Sequence, residues 1–235
     1  MDIGDNMEDH ALRLSKSKLN QYKNCPLSYY LSHISARSIN QERKSSPEAD
    51  RGTLLHEYFE AYNKNNDMLE EYQKYLLAED NYKSDVLNFH EIIKEFDLDR
   101  PEHSELKLYD PEWDLVGVID AIYLRPNGYC VIDYKTGKFK KYLTSEYNFE
   151  MYLYVILVEK MLGIQVSEYG MFWTKQPENS FIKPAKAKKK QQIEQKFYDL
   201  KDQILGCNFE RTPNRLCPWC DHMMICEDYK DDLIN

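Results

Sequence analysis

No apolar run in the 235-residue chain approaches the length needed to cross a bilayer, so a transmembrane helix is excluded and no membrane partner is expected. A secretory apolar segment is also missing, which leads to the expectation of a cytoplasmic protein with reduced thiols rather than a disulfide framework. There is no internal repeat, and this excludes solenoids and propellers. Nor is there an excess of base. Lys and Arg number 31 against 40 Asp and Glu, a net charge of −9, which argues against whole-surface binding of nucleic acid and leaves only a local basic groove open. What is present is a chain with 42% hydrophobic residues and 19 tyrosines, long enough for one substantial core.

Within that core one segment is costly. Gly117-Val118-Ile119-Asp120 and Val131-Ile132-Asp133-Tyr134-Lys135 read as strands, and Arg125-Pro126-Asn127-Gly128 between them carries the Asn-Gly pair of a two-residue turn. With residues 127 and 128 at the turn centre, position 126 faces 129, Asp120 lies across from Lys135 and Ile122 across from Asp133. The two-residue period then sets Asp120, Asp133 and Lys135 on one face. Carboxylates in an apolar strand pair need a partner, either a lysine or a divalent cation. Close aspartate oxygens suit Mg²⁺ or Mn²⁺, and a lysine of lowered pKa beside the ion could orient or deprotonate a bound water. Metal, water and cation together describe phosphodiester hydrolysis. A structural Asp–Lys pair between strands is the ordinary reading of an isolated Asp-x-Lys.

Two further segments flank the hairpin. Arg51-Gly52-Thr53-Leu54-Leu55-His56-Glu57 opens a helical pattern, and Phe149-Glu150-Met151-Tyr152-Leu153-Tyr154 begins a strongly apolar helix with Glu150 and Tyr154 four apart, on one face. In order, Gly-Thr-x-x-His, Gly-x-x-Asp, Asp-Tyr-Lys and Glu-x-x-x-Tyr resemble the PD-(D/E)XK nucleases of the RecB, AddB and Cas4 type, over most of the chain. The resemblance implies an α/β (α+β) fold: a restriction-endonuclease-like central mixed β-sheet flanked by helices, with an N-terminal helical subdomain and a C-terminal cysteine segment. It implies a metal site of His56, Asp120, Asp133 and the Tyr134 carbonyl, with Lys135 assisting the attacking water. The family usually has Gln where this chain has Glu150, paired with a tyrosine that matches Tyr154. The added negative charge here would tune the metal or weaken DNA binding.

The cysteines are unevenly spread. Cys217, Cys220 and Cys226 fall in one short segment, which in an intracellular protein reads as a metal or iron–sulfur site. The family resemblance supplies Cys25 as the fourth ligand of a [4Fe-4S] cluster that would staple the chain ends together. Four thiolates also suit zinc, and spacing alone does not separate the two. Cys130 reads as a small buried hydrophobe, Cys207 as a bystander, and His222 as a neighbour of the cysteine site rather than a ligand.

Two basic runs stand out, Lys135–Tyr142 after the second strand and Lys183–Lys190. The first is placed to hold a phosphate backbone while nearby tyrosines stack on bases; the second reads as a solvated helix face. Acidic stretches, including the tail, read as solubilising surface. Glu105 reads as an exposed strand glutamate, with an added site carboxylate as the alternative, since the family sometimes has an acidic residue upstream of Gly-x-x-Asp.

Along the chain we expect a polar leader over 1–13 and a helix capped by Ser15 that Pro26 kinks or interrupts. A charged loop over 37–50 and a helical region from 52 to 97 follow. Strands are expected near 104–110, 113–124 and 128–135, then a helix near 145–163, a strand near 166–174 and a lysine-rich helix near 184–206. One nuclease domain is expected, with a helical region over 14–100, a core over 101–206 and an iron–sulfur segment over 207–235 that closes with Cys25. The resemblance implies a Cas4-like exonuclease acting on single-stranded DNA or DNA ends. The alternatives are a DNA-end-binding accessory protein with weak nuclease activity, and a four-cysteine zinc protein whose Asp-Tyr-Lys is structural. Such nucleases work with protein partners in repair, recombination, viral genome processing and CRISPR adaptation.

Overall fold

The computed structural model describes residues 12–35, 46–65 and 67–226. Much of the expected leader and charged loop, and the acidic tail from 227, lie outside these residues. Packing divides the chain into two units, residues 44–195 and the paired end segments 1–43 and 196–235.

The larger unit is built on five strands in the order β1-β2-β3-β4-β5: β1 (His103–Asp110), β2 (Leu115–Arg125), β3 (Gly128–Lys135), β4 (Val166–Trp173) and β5 (Phe181–Pro184). All neighbours are antiparallel except β3 and β4, which are parallel. A parallel pair needs a crossover, and α6 (Thr144–Leu162) provides it. The mixed sheet with flanking helices is the expected architecture. The edge strand β5 was not anticipated, being four residues long and ending in a proline.

Three helices replace the single helical region expected over 52–97: α3 (Pro47–Lys64), α4 (Leu69–Ala78) and α5 (Asp80–Glu95). α3 begins where Ser46 accepts the Ala49 N–H and Pro47 takes the first helical position, and it stops at left-handed Asn65. Leu55, Tyr58 and Phe59 of α3 and Val86, Phe89 and Ile92 of α5 pack with Ala121, Tyr123, Cys130, Ile132 and Tyr134 of the sheet. α6 is buried along its whole middle, Phe149 to Val158, and covers the sheet on the side to which Lys135 reaches. Among the described residues no helix is long and apolar enough to cross a membrane.

In the end-segment unit, α1 (Lys16–Asn24) and α2 (Pro26–His33) are separated at Cys25, because Pro26 starts α2 and lacks the N–H that would continue α1. Phe209 lies among Tyr22, Tyr29 and Tyr30, with its ring 4.9 Å from that of Tyr30. The seventh helix, α7 (Ala187–Leu205), runs through the point where the units divide.

The hairpin register differs from expectation. Arg125 pairs with Gly128 and Ala121 with Ile132, so Pro126 and Asn127 form the turn. The reason is steric: proline has no N–H for a ladder but a φ suited to the first central turn position, and Gly128 carries the positive φ of +123°. One step past the last registered pair, Asp120 therefore falls opposite Asp133 rather than opposite Lys135.

Candidate active site

The antiparallel ladder between β2 and β3 ends at Ala121 and Ile132. Beyond it the Asp120 side chain substitutes for the ladder: its Oδ2 accepts the Tyr134 N–H at 2.6 Å. On the other side, the β1–β2 register sets Ser104 opposite Ala121 and Leu106 opposite Ile119, so Glu105 falls opposite Asp120. Glu105, Asp120 and Asp133 thus form a row of carboxylates across three adjacent strands.

α3 brings His56 over this row. Its Nδ1 lies 3.6 Å from Glu105 Oε1 and 3.9 Å from Asp120 Oδ2. Among the described residues, His56, Glu105 and Asp120 are the group whose donor atoms gather within 4.8 Å of one another, close enough to share a cation. Glu105 is therefore not simply an exposed strand glutamate; its side chain is only 24% exposed and faces the histidine. It holds that position with a left-handed φ of +49°, an uncommon conformation for a residue with a side chain. Asp133, expected among the ligands, lies outside this tightest group.

The charges are strongly coupled. Burial, and then the Asp133 charge, push the Asp120 carboxyl up to about 7, against the pull of His56 and of the Tyr134 N–H. Burial opposes charging His56, but its hydrogen bond with Glu105 and the charges of Asp120, Asp133 and Glu105 outweigh that and raise it above its ordinary value. Without a cation the Asp120 carboxyl therefore retains a proton near neutrality. A divalent ion displaces such protons and takes their place.

Asp133 is occupied by Lys135, whose Nζ lies 2.8 Å from Asp133 Oδ2 and 2.7 Å from Glu150 Oε1 on α6. The Gln-to-Glu departure thus has a structural counterpart: Glu150 is an acceptor for the lysine. Tyr134 turns its ring into the α3–α5 core, where its hydroxyl lies 2.9 Å from that of Tyr123. Tyr154 is buried against β2. A Cβ added to Gly117 would lie 3.2 Å from the Tyr154 ring and 2.8 Å from Leu157, which is why the Gly-x-x-Asp strand needs its glycine.

Sequence reasoning missed the clasp that positions His56. Arg51 donates to the Thr136 carbonyl at 3.3 Å and the Asn81 carbonyl, and pairs with buried Asp85. Asn88 donates to the Thr174 carbonyl at 2.6 Å. Together they fasten α3 and α5 to the exits of β3 and β4. Gly52 permits the approach, since a Cβ there would lie 3.2 Å from Thr136 Oγ1. The sequence signal was Arg51-Gly52 at the head of the histidine motif. Beyond Lys135 the chain exposes Lys138, Lys140 and Lys141, and Tyr142 is 76% exposed.

In the end-segment unit, Cys25, Cys217, Cys220 and Cys226 line one recess of about 470 Å³. Asn214 Nδ2 donates to the Asn24 carbonyl at 2.9 Å, and the Leu27 N–H to the Glu210 carbonyl at 3.3 Å, bringing the two segments together. All four thiols are free and half-buried, a soft donor set that fits an iron–sulfur cluster or zinc. His222 is 5% exposed and its Nε2 lies 2.7 Å from Ser32 Oγ. Cys207 is exposed, and Cys130 is fully buried, its thiol pushed up to about 12 by burial.

A model described as the PD-(D/E)XK nuclease superfamily matches residues 13–227. The crystal structure of a candidate exonuclease from Eubacterium rectale is similar at a TM-score of 0.55 and 14% identity, over 95% of this chain and 94% of the other. The crystal structure of SSO0001 matches at a TM-score of 0.39 and 14% identity, over 91% and 85%. No curated protein sequence matches the chain.

Proposed function

Because the chain belongs to the PD-(D/E)XK nuclease superfamily, we propose that it is a Mg²⁺- or Mn²⁺-dependent deoxyribonuclease, a Cas4-like exonuclease acting on single-stranded DNA or DNA ends. The observation that carries this reading is the carboxylate row Glu105, Asp120 and Asp133 beneath His56, with the Lys135 ammonium 2.8 Å from its last member. His56, Glu105, Asp120, Asp133 and the Tyr134 carbonyl would hold the ion. When bound, it supplies a water of lowered pKa and positive charge for the phosphoryl oxygens.

The protein's own groups do the rest. Asp120, fastened to the Tyr134 N–H, keeps the strands apart at a fixed gap. Lys135 presents its ammonium beside the row, where it orients the attacking water and offsets negative charge that grows on the phosphate. Tied to Asp133 and Glu150, it serves as a hydrogen-bond donor rather than as a base. Lys138, Lys140 and Lys141 meet backbone phosphates, and exposed Tyr142 offers a face for a base. The four cysteines that line one recess would hold a [4Fe-4S] cluster, with zinc as the alternative for four thiolates.

One observation favours a second reading, a DNA-end-binding accessory protein with weak turnover: the Glu150 carboxylate adds a negative charge beside Lys135. End-labelled linear and circular single-stranded DNA, incubated with Mg²⁺ or Mn²⁺, separates the two. The wild type should degrade the linear strand over many turnovers and spare the circle, and Asp133→Ala should abolish cleavage. Equal cleavage by both proteins would overturn the nuclease assignment, and stoichiometric binding without turnover would favour the accessory role.

A further inference from the structure

The second basic run does not behave as one solvated face. Lys190 is structural: its Nζ lies 2.5 Å from Glu159 Oε1 and donates to the Val166 carbonyl at 3.1 Å. Lys188 is exposed. Lys183, Lys186 and Lys189, in contrast, line a single recess of about 360 Å³ together with Asn148, Tyr152 and Tyr169. No carboxylate lines it, and none of these three lysines is ion-paired with an acid.

The floor of the recess is polar yet buried. Tyr152 and Tyr169 are 3% and 5% exposed. The Tyr152 hydroxyl accepts the Lys186 N–H at 3.2 Å. Tyr169 donates to Asn148 Oδ1 at 3.1 Å, and burial pushes its phenol up to about 12, so it stays neutral. The Lys183 Nζ lies over the Phe181 ring at 4.0 Å from its centroid, and three lysines line the recess with no carboxylate among its walls, so an anion there would supply the missing counter-charge. The recess is separate from the carboxylate row. Asn148 and Tyr152 are four apart on α6 and share a face, whereas Glu150 between them reaches Lys135.

We propose that this recess is a phosphate site, filled by a backbone phosphodiester of single-stranded DNA held outside the catalytic gap. The choice of DNA rests on the nuclease reading above. An anchor there would keep a strand attached between cuts.

The test is binding of a fluorescein-labelled oligothymidylate by anisotropy in EDTA, where no hydrolysis occurs, across a salt series. The variants are Lys183→Gln/Lys186→Gln/Lys189→Gln and a control, Lys74→Gln/Lys94→Gln/Lys107→Gln, which removes three exposed lysines elsewhere. The first triple should bind at least about tenfold more weakly, and its slope of log affinity against log salt should shrink by about 0.7, the value for one phosphate contact. The control should stay within about twofold of the wild type. Equal losses in both triples, or none in the first, would overturn the proposal. Calorimetry with inorganic phosphate forms the second arm: phosphate binding lost in the first triple while oligonucleotide binding is unchanged would overturn the assignment to a strand. Because nothing is cleaved here, failure of the nuclease reading would show separately, as absent hydrolysis with this binding intact.

Discussion

Lys135 and Glu150 form an ion pair of 2.7 Å in which the carboxylate is only 7% exposed. The pair joins the end of β3 to α6, and it sets a second carboxylate beside an ammonium already 2.8 Å from Asp133. Glu150→Gln keeps the shape and an acceptor oxygen but removes one negative charge. Binding of a single-stranded oligonucleotide should tighten by about tenfold, the equivalent of roughly 1.4 kcal/mol, as repulsion of the phosphates falls. Unchanged affinity would show that the substrate does not feel this charge.

Removing the lysine separates structure from chemistry. Lys135→Ala leaves Asp133 and Glu150, 2% and 7% exposed, without their shared cation. Stability should fall by about 3–5 kcal/mol, the usual result of stranding buried charge. The double variant Lys135→Ala/Glu150→Gln should recover a good part of that stability and none of the cleavage. If cleavage returned with stability, the lysine would be a structural group only.

The coupled carboxylates predict an inverted response to pH. Asp120 titrates near 7 in the folded chain against an ordinary 3.8, so between those values the folded state holds a proton the unfolded chain has released. Metal-free stability therefore falls as pH rises from about 4 to about 7, and above about 6.5 the raised pKa of His56 extends the fall in the same direction. A bound cation reverses this by replacing the protons. Saturating Mg²⁺ should raise the melting temperature by roughly 5–10 °C at pH 8 and far less at pH 5.5. Equal shifts at the two pH values would mean that the ion binds elsewhere.

The cysteine recess predicts a chromophore. Anaerobically purified protein should absorb near about 400 nm, and Cys25→Ala should bleach it although Cys25 lies almost two hundred positions from the other three ligands. Cys207→Ser, at an exposed position, serves as the control and should leave the spectrum unchanged. A colourless, zinc-containing preparation would assign the site to zinc.

What could be read in advance followed from local rules. The strands of the hairpin were visible in their Val, Ile and Tyr content, and Asp120, Asp133 and Lys135 were correctly drawn together. Their register was two positions out. Pro126 held the correction, since a residue without an N–H fits the turn better than the ladder. Three features were illegible because they depend on partners distant in sequence. The Arg51 clasp needs α3, α5 and the exit of β3 to meet. The lysine recess needs β4, α6 and the start of α7. Glu105 needs the β1–β2 register, and although Asp110-Pro111 signals a turn, that signal does not fix the pairing of the strands to the residue.

Glu105 offers the sharpest test of whether the row of carboxylates is functional. Its left-handed φ of +49° costs about 1–3 kcal/mol for a residue with a side chain, yet β1 keeps it there, opposite Asp120 and 3.6 Å from His56. Glycine adopts this φ without the cost. Glu105→Gly should therefore gain about 1 kcal/mol in metal-free stability, as backbone strain and carboxylate repulsion are both relieved. The same change removes one donor from the group around the cation, so the Mg²⁺-induced rise in melting temperature should shrink and cleavage should fall at least about tenfold. Stability and activity moving in opposite directions would mark strain retained for metal binding. A loss of both would instead make Glu105 a structural residue of the strand.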